Sequence, residues 1–160
     1  MLLKNCFYIT LILTLFSHFG YSQVDSNLVK FENSPSIWTP KGYSQAVIVD
    51  FGKFKMVTIS GQIPFDSSGT LVGKGDFPKQ AEQVFLNIKK LVDQAGGNMS
   101  NLTKLGYFVT DITQLSALRE VRNKFINLDK PPASTLVQVS KLFRDDVLLE
   151  VEAVAIIPKK

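Results

Sequence analysis

The chain has 160 residues and a formal net charge of +4, from 18 basic and 14 acidic side chains, with one cysteine and one histidine. Its charges are interspersed, with no basic stripe carrying interleaved aromatics, so no nucleic-acid partner is expected. Cys6 and His18 both lie in the first 22 residues. Residues 23–160 therefore cannot supply a cysteine nucleophile, a Ser-His-Asp triad, an imidazole base or the usual zinc ligands.

Lys4 precedes a short apolar run over residues 7–16, and Gly20-Tyr21-Ser22 supplies the small residues of a cleavage site before Gln23. The run is about half the ~20 residues that span a bilayer. Residues 1–22 are therefore expected to be a signal peptide, and the product exported to the periplasm or outside, with no membrane attachment after cleavage. Cys6 lies ahead of the apolar run, so it is not a lipid-bearing cysteine at the cleavage point. Residues 23–36 are expected to be a loosely ordered lead-in, and residues 37–160 a single domain able to bury a core without disulfide or metal.

Residues 45–51 and 54–60 carry strand patterns around Gly52-Lys53, a pair suited to a tight hairpin turn. Asp66-Ser67-Ser68-Gly69 is a second turn, leading to a short extended piece at 70–72. The first helix is signposted by a capping Asp76, by Pro78 in its first turn and by Gly96-Gly97 as its stop. Ala81, Val84, Phe85, Ile88, Val92 and Ala95 recur at helical spacing. A strand over 105–110 follows, then a second helix over 113–126 that Pro131-Pro132 cannot continue. Strands at 135–139 and 147–157 complete an α+β fold, a mixed sheet with two helices on one face.

The last strand alternates Val147, Leu149, Val151, Ala153, Ala155 and Ile157 with Leu148, Glu150, Glu152, Val154 and Ile156. Two carboxylates among apolar groups on one face fit a subunit interface or a pocket wall; an exposed face carrying ion pairs is the plainer alternative. On the second helix, Arg122 falls inside the apolar arc of Leu115, Leu118 and Phe125, and Arg119 falls at its edge. Each either snorkels to water or aims its guanidinium at an anion.

Gly42-Tyr43-Ser44-Gln45, Ser60-Gly61-Gln62-Ile63-Pro64, Pro132-Ala133-Ser134-Thr135 and Glu150-Val151-Glu152-Ala153 occur in order. Together with residues 83–97 and Val109-Thr110-Asp111, these blocks resemble the RidA (YjgF) family of reactive-intermediate deaminases across essentially all of residues 37–160. The resemblance implies a chorismate-mutase-like homotrimer with small-molecule clefts between subunits. It also implies cofactor-free hydrolysis of enamines and imines, such as 2-aminoacrylate and its imine, to a carbonyl product and ammonia. Other relatives have been described as ribonucleases or translation inhibitors. Position by position, it implies Glu150 as the catalytic carboxylate and Tyr43, Gln62 and Ser134 as binding residues. The arginine that clamps the substrate carboxylate in deaminating members falls at Ser134, placing the chain in an arginine-lacking subgroup. Arg119 and Arg122 are then the cations that can replace it. Non-catalytic ligand binding by an exported trimer is the alternative function.

Overall fold

The computed structural model describes residues 28–159. The expected signal segment and residues 23–27 of the lead-in lie outside that range. Six strands form one mixed sheet: β1 (Val29–Glu32), β2 (Ala46–Asp50), β3 (Phe54–Gln62), β4 (Leu102–Val109), β5 (Ala133–Gln138) and β6 (Leu149–Pro158). Their spatial order is β1-β2-β3-β6-β4-β5. Only β4 and β5 run parallel; the other neighbours are antiparallel.

Helix α1 (Phe77–Gln94) packs across the sheet against β3 and β6, and α2 (Leu115–Asn123) packs on α1. Asp76 caps α1 by accepting from the Lys79 N–H at 3.1 Å. Gly96, at φ +87°, turns the chain into the left-handed region that glycine favours, and the Gly97 N–H reaches back to the Val92 carbonyl at 3.0 Å. The core lies between α1 and the buried face of the sheet, where Phe85, Ile88, Ile59, Leu105, Leu149, Val151 and Ala153 meet. Two buried amides fasten this layer. Gln80 donates to Gly73 and Asp146 carbonyls and accepts from the Leu148 N–H, while Asn87 donates to the carbonyls of Ile63 and Phe65. Both ties fix loops that reach the candidate site.

Besides shifted ends of β2, β4, β5 and β6, three differences from the sequence reading bear on the architecture. The lead-in contains β1, an edge strand paired with β2 from Val29↔Val49 to Glu32↔Ala46. With a single half-turned-in residue and Phe31 72% exposed, β1 has no buried alternation for sequence reasoning to detect. The second helix is shorter than expected: a 3₁₀ turn at Ile112–Gln114, capped by Asp111, precedes it. Between Ile59 and Gln62 a bulge shifts β3 against β6, so β3 runs on through Ser60-Gly61.

Candidate functional site

Glu150 stands on the sheet face opposite the helices, half-buried, directly across from Phe108 of β4. The bulge in β3 sets its environment. A Cβ on Gly61 would lie 1.8 Å from Glu150 Oε1, so glycine is required for the carboxylate to rest over the neighbouring strand. Glu152 rests over Gly106 of β4 in the same manner but remains exposed. Burial, and then the Glu152 charge, push the Glu150 carboxyl above the usual carboxylate range.

Trp38, Tyr43, Ser60, Gly61, Ile63 and Phe143 surround Glu150 and enclose a cavity of about 460 Å³. The Tyr43 phenol is held above its ordinary pKa by partial burial and by the Glu150 charge beside it. Trp38 and Phe143 each meet the Phe65 ring edge-on, at 5.8 and 6.0 Å between centroids. Gln45 holds the loop that brings Trp38 and Tyr43 here. Its side chain accepts from the Ser34 N–H and donates to the Trp38 carbonyl at 2.7 Å, while its own N–H reaches Asn33 Oδ1 at 2.9 Å. Ser60 Oγ donates to the Ser44 carbonyl at 2.7 Å, tying β3 to the same loop.

Ser134 lies elsewhere. It pairs with Leu105 across the parallel β4–β5 ladder, whose Leu105 side faces the core. There Ser134, Arg119, Arg122, Tyr107, Leu115, Leu118 and Leu136 line a second cavity of about 170 Å³. Arg122 is half-buried and Arg119 exposed, in keeping with their helical phase. The Arg122 Nε and Nη2 donate to Asn123 Oδ1 at 3.1 and 2.8 Å. Tyr107 is 3% exposed. Burial pushes its phenol up to about 12, and the nearby Arg122 charge pulls it part of the way back. The guanidinium acts on the phenol both by its charge and as a nearby donor, but no hydrogen bond of good geometry joins them.

The six sequence-nominated residues thus fall into three places within one chain. Glu150 and Tyr43 share the first cavity, and Ser134, Arg119 and Arg122 share the second. Gln62 lines neither; it is 6% exposed and its amide donates to the Ser60 carbonyl at 2.9 Å, bracing the bulge. Trp38, Phe143 and Tyr107 were not nominated. Trp38 and Phe143 are 105 positions apart in the numbering, and nothing local marks either. Among the described residues, no group of three His, Cys, Asp or Glu side chains gathers to hold a metal ion.

Residues 34–157 match the profile of the family described as endoribonuclease L-PSP. A RutC family protein of Pyrococcus horikoshii is 36% identical over 124 residues, covering 78% of this chain and 92% of that protein. The crystal structure of RidA from an Antarctic Psychrobacter superposes with a TM-score of 0.68 at 33% identity, covering 79% of this chain and 98% of the other. That of E. coli TdcF with bound serine gives 0.66 at 31% identity, covering 81% and 98%. With the mixed sheet, its two helices and the ordered motifs already in place, the chain belongs to the RidA (YjgF) family, the family of the endoribonuclease L-PSP profile.

Proposed function

We propose that the protein is an exported homotrimer that hydrolyses a small enamine or imine in clefts shared between subunits. Each cleft joins the Glu150 cavity of one subunit to the Ser134–Arg119–Arg122 cavity of its neighbour. Glu150 and Ser134 occupy opposite faces of one sheet, so they meet only across an interface. β5 is an edge strand, free to present Ser134 to a second chain.

The observation that carries the reading is Glu150 itself: a half-buried carboxylate with a raised pKa, laid over Gly61 inside an aromatic-walled cavity. Such a group accepts a proton from water at neutral pH and returns it readily. Water oxygen bonds to the imine carbon as the C=N π electrons move to nitrogen and one water proton passes to Glu150, which returns it to nitrogen to give a carbinolamine. The carbinolamine hydroxyl proton then passes by way of Glu150 to nitrogen, the C–N bond breaks as C=O forms, and ammonia leaves a carbonyl product. No cofactor is needed. The serine bound to TdcF is a carboxylated amine of the size this cleft would take.

Ser134 favours a second reading. A neutral hydroxyl cannot replace a bidentate cation, and a charge-assisted pair contributes on the order of 1.5–3 kcal/mol. Loss of that clamp costs at least ~10- to 100-fold at roughly 1.4 kcal/mol per decade. A non-catalytic ligand-binding trimer follows if Arg119 and Arg122 do not take over the role. The test is hydrolysis of 2-aminoacrylate and 2-iminobutanoate generated in situ. Turnover at least ~100-fold below that of an arginine-bearing relative, and abolished by Glu150→Gln, is expected. Comparable rates would show that the clamp is not missing, and turnover that survives Glu150→Gln would remove Glu150 from the chemistry.

A further inference from the structure

The Tyr107–Arg122 cavity holds an unusual set of groups. Two guanidinium side chains line it, and no carboxylate does. Among the described residues neither arginine forms an ion pair. Ser134 adds an exposed hydroxyl, and Tyr107 a buried hydroxyl beside Arg122 that no well-aligned hydrogen bond satisfies. Leu115, Leu118 and Leu136 form the apolar remainder and limit competing water.

We infer that this cavity is a binding site for a tetrahedral oxoanion group, such as the phosphate of a phosphomonoester, in preference to a monocarboxylate. The inference rests on the shared-cleft reading and names the anionic end of the ligand held there. A planar carboxylate carries a single negative charge, which one guanidinium fork compensates. Here two guanidinium side chains and two hydroxyl-bearing side chains line one cavity. Arg122 spends two donors on Asn123 and still has others to offer, while Arg119 makes no side-chain hydrogen bond among the described residues. A dianion with three acceptor oxygens uses both charges and both hydroxyls, whereas a monocarboxylate leaves one cation uncompensated. The volume, about 170 Å³, is several times the ~30 Å³ that one water occupies in the liquid.

The experiment is calorimetric titration of the trimer with inorganic phosphate and, separately, with acetate, at constant ionic strength. Four proteins are compared: wild type, Arg119→Gln, Arg122→Gln and Tyr107→Phe. Phosphate is expected to bind wild type more tightly than acetate. Each arginine variant should weaken phosphate by ~10-fold or more, and Tyr107→Phe by ~2- to 10-fold, as one neutral hydrogen bond of about 0.5–1.5 kcal/mol predicts. A Glu150→Gln variant should bind phosphate at least as tightly as wild type, since a negative charge leaves the shared cleft, while losing turnover, which separates this inference from the hydrolase reading. Equal affinity for acetate and phosphate, absence of phosphate binding to wild type, or unchanged binding in Tyr107→Phe together with either arginine variant would overturn it.

Discussion

Replacing Tyr107 with phenylalanine should stabilise the protein while weakening anion binding, an unusual pairing for a conservative core change. The ring is 3% exposed and lies tilted against Phe85, at 6.5 Å between centroids, so its apolar contacts survive the substitution. Only the hydroxyl is lost, and although Arg122 lies beside it, no hydrogen bond of good geometry satisfies it. Relief of its desolvation should raise stability by about 1 kcal/mol, within the 1–3 kcal/mol an unsatisfied buried group costs. Alkaline pH gives a second, independent signature. Below pH 10 folded and unfolded tyrosine both keep their proton. As pH rises from 10 to about 12 the unfolded chain ionises first, because the folded phenol is pushed up to about 12. The stability tied to the protonated phenol is therefore lost across that window, on the order of a few kcal/mol. Urea denaturation at pH 7, 10 and 11.5 measures both effects. Tyr107→Phe should be the more stable protein at every pH, with an advantage that grows on the alkaline side. A variant destabilised by more than ~1 kcal/mol at pH 7 would show that the hydroxyl is hydrogen-bonded, and the reasoning would fail.

Gly61→Ala places a methyl on the Glu150 carboxylate and should swing that flexible side chain aside; abolished turnover with a stability change of under about 1 kcal/mol by thermal denaturation is expected. Gln45→Ala removes the side-chain ties to Ser34 and Trp38 and should cost about 2–3 kcal/mol, with increased quenching of Trp38 fluorescence by iodide as the loop loosens. For Glu150→Gln the sign follows from a raised folded pKa: the contribution of Glu150 to stability is fully present at low pH and is lost as pH rises through the folded value. The glutamine variant should therefore melt higher than wild type at pH 7.5, and the difference should close by pH 4. Export predicts that the mature product begins at Gln23, which intact-mass measurement of the secreted protein checks.

The legible parts of the fold were those whose signals are local. Asp76, Pro78 and Gly96-Gly97 mark α1 because caps and stops act within a turn or two of chain. The two-faced pattern of β6 showed because one face is buried and its period is two. β1 escaped because an exposed four-residue edge strand acquires its identity from β2 and not from its own side chains. The inward set of Arg122 was readable from helical phase. That Tyr107 would face it was not, because the sequence shows an apolar strand position and says nothing of whether a hydroxyl finds a partner. Gln62 sits in a motif that implies ligand contact, but the bulge at Ser60-Gly61 turns it into a brace. Trp38 and Phe143 reach Glu150 only through long-range ties made by Gln45 and Gln80.

The central claim is that the cleft is assembled from two chains. Residues 23–160 contain no cysteine, so paired cysteines can be placed without background. The most direct measurement is treatment of a Ser134→Cys, Glu150→Cys double variant with a short bismaleimide, followed by a denaturing gel. If Ser134 of one subunit faces Glu150 of the next, the product closes into covalent dimers and trimers, and each single-cysteine variant remains monomeric. A double variant that reacts fully yet migrates only as monomer would contradict the shared cleft.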